Sequence, residues 1–160
     1  MTDFLIGCDP EVFVTKNGVP ISAQGLVEGT KKDPRQVSHG AVQVDGMALE
    51  FNTDPRVLTQ NQIGTLFSQT VDIVLSQMKT LAQKRDPNIE FNIVPVMDFD
   101  ADYLEAQPDE AKELGCDPDF NAYTGLQNET PDGKVSFRTA AGHIHIGWDK
   151  DIPVEHPDHF

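Results

Sequence analysis

Basic residues are scarce in this sequence: 12 Lys and Arg stand against 26 Asp and Glu, a formal charge of −14 at pH 7. That imbalance excludes a sequence-independent grip on nucleic acid, which depends on Lys and Arg neutralising phosphates. Long apolar runs are also missing. None reaches the roughly 18 residues needed to cross a bilayer, and the opening MTDFLIGCDPE lacks the basic and extended apolar segments of a secretory signal. The expected address is the cytoplasm, with no membrane partner. Cysteine is limited to Cys8 and Cys116. They are open to pairing, but in a reducing compartment free thiols are the expectation, and neither has the neighbouring His or second Cys of a nucleophile or zinc site. With no Walker loop and no G-x-G-x-x-G, phosphate cradles of those kinds are excluded as well.

What is present fits one ordinary domain. A chain of 160 residues is long enough to bury a core without disulfide or metal staples. With 38% hydrophobic and 24% charged residues, the composition is neither disordered nor that of a membrane protein. The acidity has three readings: a solvated surface that favours solubility, carboxylates gathered around divalent cations, or a DNA mimic. A mimic would spread its charges along a surface instead of clustering them beside Gly and His.

Along the chain, FLIGCDPEVFV reads as a strand interrupted at Asp9-Pro10, because proline cannot donate to a ladder. Asn17-Gly18 signals a hairpin into a short strand from Val19 to Ala23. Residues 25–40 are polar and turn-rich and read as a loop of functional length. AVQVDGMALEFN is expected as a third strand with a bulge at Gly46; Met47, Leu49 and Phe51 alternate with Ala48, Glu50 and Asn52. Apolar spacing predicts a helix from about Val57 to Lys84, with Asp54 as N-cap, Pro55 just inside and Lys84-Arg85 at the negative end of its dipole. Then come a strand from Ile89 to Phe99, a short helix opened by Pro108 and ended by Gly115, a loop at CDPDFNAYTG, a turn at Pro131-Asp132-Gly133, and a strand in KVSFRTAAGHIHIGW. The last residues, DKDIPVEHPDHF, have little pattern, and His156 and His159 read as surface residues. The fold class expected is α+β, an antiparallel sheet with helices packed on one face. An echo of GCDPE at residues 7–11 in GCDPD at 115–119 reads as shared turn chemistry, not a repeat.

The sharpest chemical signal is His143-Ile144-His145, since strand alternation puts both imidazoles on one face and leaves Ile144 and Ile146 for the core. Such a pair is either a transition-metal or phosphate site or an ordinary wet strand face. Glu50 and Asn52 share a face of another strand with Asp45 just before them, a set suited to Mg2+ or Mn2+ or, again, to a solvated face. Glu11 is a carboxylate in an otherwise apolar strand beside Asp9, costly unless it borders a site or is paired. Arg138 offers a planar fork for phosphate or carboxylate, or an ion pair with one of the many acids.

Together, GCDPEVFV, VDGMALEFN, GCDPDFNAY and RTAAGHIHIG, in this order, resemble the phage-type carboxylate-amine ligases of the glutamine synthetase and glutamate-cysteine ligase superfamily. The resemblance runs from Phe4 to about Gly147. It implies a partial glutamine synthetase-like catalytic domain, an antiparallel sheet with divalent metals on its concave face. The activity implied is ATP-dependent amide formation through an acyl phosphate, with Mg2+ or Mn2+, acting on small-molecule or peptide carboxylates and amines in a host cytoplasm. By that analogy Glu11, Glu50 and one of His143 and His145 are metal ligands, Asp45 and Asn52 support metal or substrate, and Arg138 and the other histidine hold the phosphate of ATP. The superfamily often builds active sites at subunit junctions, so a homo-oligomer is among the arrangements implied. The family's pattern continues with a further helix and strand, so 1–160 is expected as the N-terminal portion of the fold: a fragment of a longer ligase, a complete chain that has lost catalysis, or one to which a second subunit supplies the rest. The competing expectations are a non-catalytic phage structural or assembly protein that keeps the fold, and a metal-dependent hydrolase or oxygenase using His-x-His and a carboxylate.

Overall fold

A computed structural model of the chain describes residues 4–59, 62–112, 120–129 and 135–148. Cys116, Gly115, the Pro131-Asp132-Gly133 turn and the C-terminal tail lie outside the described residues. The chain is α+β. Among the described residues eleven strands run β1 (Phe4–Cys8), β2 (Glu11–Lys16), β3 (Val19–Ile21), β4 (Arg35–Val37), β5 (Gly40–Asp45), β6 (Ala48–Thr53), β7 (Arg56–Leu58), β8 (Ile89–Asn92), β9 (Val96–Asp98), β10 (Phe137–Thr139) and β11 (Ile144–Trp148). The helices are α1 (Ser68–Arg85), α2 (Ala101–Glu105) and α3 (Asp109–Lys112), and one π-helical turn, Ile63–Phe67, leads into α1. No helix among the described residues is long and apolar enough to cross a membrane.

All pairings between these strands are antiparallel. The main sheet has the order β3-β2-β6-β5-β4, with β8 also on β2; β11-β1-β7 forms a second sheet and β10-β9 a ribbon. The β2–β3 hairpin turns at Asn17 and Gly18, whose φ of 53° and 75° match the two positive-φ positions of a type I′ turn. The expected third strand is instead a hairpin: Asp45 pairs with Ala48, and Gly46, at φ 54°, takes the first turn position instead of a bulge. A bulge and a two-residue turn both shift the phase of alternation by one residue, here from Val42 and Val44 to Leu49 and Phe51 on the core face, so the sequence pattern alone cannot tell the two apart.

The expected start of the long helix is also corrected. Arg56–Leu58 pairs with β1 as a strand, and Leu58 is 1% exposed. Asp54 is not an N-cap; its amide donates to His39 O at 2.9 Å in the turn from β6 to β7. The far end is as expected, with Lys84 and Arg85 in the last turn of α1. The predicted Ile89 to Phe99 strand is split at Pro95 into β8 and β9, as the missing N–H of proline requires.

Two cores flank the main sheet. On one face Val12, Val14, Val42, Leu49 and Phe51 pack beneath Val74, Met78 and Ala82 of α1. On the other, Phe13, Met47 and Ala48 pack with Phe99, Leu104 and Ala111 from the β9–α3 region. Helices therefore lie on both faces, not one, since α2 supplies Leu104 and α3 Ala111. Each fully buried side chain of this size contributes roughly 1.5–3 kcal/mol. Because Val12 and Phe13 point to opposite faces, Glu11 shares the face of Phe13, beyond the end of the second core.

Candidate metal centre

Strand register builds the acidic group. Glu11 of β2 stands directly opposite Glu50 of β6, and Gln43 of β5 opposite Glu50 on its other side. Opposed residues share a face, and Asp45, two residues beyond Gln43, joins them. One oxygen each from Glu11, Asp45 and Glu50 lies within 4.8 Å of the others. The face opens into a cavity of about 410 Å³ that Lys31, Thr139, Ala141, Asp9 and His143 also border.

Like charges opposed across a sheet repel, and the local donors offset this only in part. Gln43 Nε2 donates to Glu50 Oε2 at 2.6 Å, Ala141 N to Glu11 Oε2 at 2.7 Å, and Lys31 Nζ lies 2.8 Å from Asp45 Oδ1. Burial pushes the Glu50 carboxyl up to about 7; the Gln43 hydrogen bond pulls against it, and the charges of Asp45, Glu11 and Asp9 add to it. Glu11 is also raised, by burial first and by Asp45, against the Ala141 amide. For Lys31, burial works against the charged form, but the hydrogen bond and field of Asp45, with Glu50 and Glu11, outweigh it and hold the ammonium above its ordinary range.

Beside this group lies a compensated one. Asp9, in the turn between β1 and β2, accepts from His143 N at 2.9 Å, and its two oxygens lie 3.2 Å from His143 Nδ1 and 3.0 Å from His145 Nε2. Burial alone would raise the Asp9 carboxyl, but the His145 ring, the His143 amide and both imidazoles together hold it below the usual range. The expected convergence of the two histidines is thus present, and Asp9 is where they meet. The expectation that Ile144 and Ile146 face the core is corrected: they are 66% and 56% exposed. They do share the face of the buried Cys8 and Ile6, but β11 is the edge strand of its sheet, and no layer among the described residues covers it.

Arg138 is placed differently from the phosphate clamp expected. It is 3% exposed, with Nη1 donating to Val135 O and Phe137 O and Nη2 to Lys112 O, all at 2.8 Å. Its guanidinium therefore ties β10 to α3, and only Nε lacks a partner. Asn52 shares the face of Glu50 but borders a neighbouring cavity of about 330 Å³, with Asp9, His145 and Pro55. Cys8 is a buried free thiol beside Thr53 Oγ1.

Sequence reasoning did not single out Gln43 or Lys31. Gln43 was legible in principle, alternating with Asp45 and pairing with Glu50 once the hairpin is known. Lys31 sits in an irregular loop, where no period marks it.

The donor set suits a hard cation. Mg2+ binds oxygen at about 2.0–2.1 Å, which puts opposite ligands about 4.2 Å apart, and Ca2+ at about 2.3–2.6 Å spans slightly more; oxygens within 4.8 Å match that scale. Glu11, Asp45 and Glu50 are the residues that would hold the ion. No protein-family model, curated protein or solved structure matches this chain.

Proposed function

We propose that this chain carries the cation-binding face of an ATP-dependent carboxylate-amine ligase with a glutamine synthetase-like sheet. The observation that carries the reading is the Glu11–Glu50 register pair with Asp45 beside it, opening into a cavity and left short of positive charge. A fold retains such a group at a cost in stability, which a bound dication removes. Divalent cations at this face would neutralise the charge that builds on phosphate oxygens during phosphoryl transfer.

In the reaction, a carboxylate oxygen of the first substrate attacks the γ-phosphorus of ATP and ADP departs. The amine of the second substrate then attacks the acyl carbon, phosphate leaves, and the amine gives up a proton. Glu11, Asp45 and Glu50 are the residues that would hold the cations, which would supply charge neutralisation to the phosphate oxygens. Asp9 holds the His143 and His145 rings at the junction of the two cavities, where they can donate to phosphate oxygens. Arg138 serves this site from behind, by fixing the segment that leads to Ala141.

Thermal unfolding of the full chain with Mg2+ or Mn2+, with and without ATP, tests the reading. At a hundredfold excess over its dissociation constant a ligand adds about 2.7 kcal/mol. A cation-dependent rise that Glu50→Gln abolishes, with ADP formed only when a carboxylate is supplied, is the expected result; absence of any cation response overturns it. The convergence of His143 and His145 on Asp9 favours a second reading, a two-His, one-carboxylate hydrolase or oxygenase. Stoichiometric zinc or iron in the purified protein, lost in Asp9→Asn, would move the conclusion there.

A further inference from the structure

Lys31 lies on the connection between β3 and β4, but it is not a loose surface side chain. Val44 N donates to Gly29 O at 3.0 Å, Thr30 bridges to Val44, and Thr30 and Asp33 exchange two backbone hydrogen bonds of 3.1 Å. Gly29 lies so close to β5 that a Cβ there would sit 2.0 Å from Val42 O, so only glycine allows the approach. The backbone just before Lys31 is thus fastened to the strand that carries Gln43 and Asp45. The consequence is an ammonium aimed at the acidic group, 2.8 Å from Asp45 Oδ1. Among the described residues it is the only Lys or Arg bordering that cavity.

We infer that Lys31 is a built-in counter-ion that a divalent cation must displace, so that the loop sets the cation affinity of the site. The inference rests on the cation-binding reading above and adds a regulating element to it. An ion held by Glu11, Asp45 and Glu50 would draw on the same Asp45 carboxylate that Lys31 engages through Oδ1, and two cations on one carboxylate repel. Lys31 has somewhere to go: its side chain is 49% exposed, and its four-carbon stem can swing the ammonium into water without moving the fastened backbone. The protein therefore alternates between an ammonium-closed and a cation-filled arrangement of the same carboxylates.

Calorimetric titration with Mn2+ tests this on the unaltered chain, Lys31→Met, Glu50→Gln and the Lys31→Met/Glu50→Gln pair. Removal of the competitor is expected to tighten Mn2+ binding about fivefold or more, the scale of a half-exposed ion pair, and Glu50→Gln is expected to weaken it in both backgrounds. A second readout follows Lys31 itself: after 13C-methylation of the lysines, the Lys31 resonance, assigned by its loss in Lys31→Met, should move during a Mg2+ titration along the same isotherm as binding. Unchanged or weaker Mn2+ binding by Lys31→Met, with binding by the unaltered chain intact and Glu50-dependent, overturns the role of Lys31 and leaves the cation site standing. No Mn2+ binding by either protein overturns both. A Lys31 resonance that ignores saturating Mg2+ also overturns the exchange.

Discussion

Two groups of carboxylates border one cavity, and the fold treats them in opposite ways. Asp9 is given donors on both oxygens, from the His143 amide and the two imidazoles, and its carboxyl is held low. Glu50 is given a single amide donor and two carboxylate neighbours, and its carboxyl is pushed up to about 7. Asp9 acts as a clamp, fastening the segment before β11 to the turn between β1 and β2. The acidic group is left under-compensated at the same cavity that Asp9 borders. That contrast is what supports the proposal that the acidic group, and not Asp9, receives an outside charge.

The widest separation between the groups should come from Glu50→Gln set against Asp9→Asn. Glu50→Gln should lower Mg2+ or Mn2+ affinity by at least the ten- to hundredfold that loss of even an outer-shell partner costs, while raising the melting temperature of the cation-free protein at pH 8. Asp9→Asn should do the reverse. It removes charged hydrogen bonds worth about 1.5–3 kcal/mol and should lower the melting temperature, with cation affinity changed less than about tenfold. Titration calorimetry and thermal unfolding of the two variants check both directions, and a shared phenotype would erase the distinction.

Arg138→Met follows in size. Its three carbonyl bonds and burial predict a loss of about 2–4 kcal/mol of stability, read by urea unfolding, with Mn2+ affinity per folded molecule preserved. Selective loss of nucleotide binding in a folded Arg138→Met would instead restore the phosphate role expected from the sequence.

The pH dependence is gentler and has a definite sign. The Glu50 carboxyl titrates near 7 in the folded chain, against an ordinary value of 4.5. Between those two values the folded state holds a proton that the unfolded state has lost, so stability is greatest at the acid end and declines as pH rises through the window. Glu11, also raised, pulls the same way. Asp9, lowered, acts oppositely but only in strong acid, below its ordinary 3.8. Cation-free protein should therefore melt at progressively lower temperature from about pH 5 to pH 8, and saturating Mg2+ should flatten or invert the trend, because the ion binds the deprotonated carboxylates.

Much of this arrangement could be read from the residues, and the failures share a cause. Alternation identified Glu50 as facing with Asn52, and the cost of an acid between Pro10 and Val12 marked Glu11. That these two stand opposite each other depends on the register of β2 against β6, which no local pattern encodes. Alternation likewise shows that Ile144 and Ile146 share a face, but not whether anything covers it. Val57 and Leu58 read as the start of the helix because so short an apolar segment fits either period; the pairing of Arg56–Leu58 with β1 decides it. Lys31 became visible only through the close approach at Gly29, a tertiary fact.

The smallest effect concerns how the clamp divides its load. His145 is 67% exposed and His143 61%, while Asp9 is 23% exposed. The imidazole contacts are therefore well hydrated, and exposed pairs of this kind contribute about 0.2–1 kcal/mol. The amide of His143 differs: it cannot be removed by side-chain substitution, and it stays with Asp9 in His145→Gln. His145→Gln should lower the melting temperature by no more than about 2–4 °C, the shift that 1 kcal/mol produces in a chain of this size. In a cycle with Asp9→Asn, the coupling should stay below about 1 kcal/mol. A larger coupling would mean that the imidazoles, more than the backbone, hold Asp9 in place. The low carboxyl of Asp9 would then depend on the histidines remaining free to face it, and a metal that recruited His145 would release β11 from the turn it is fastened to.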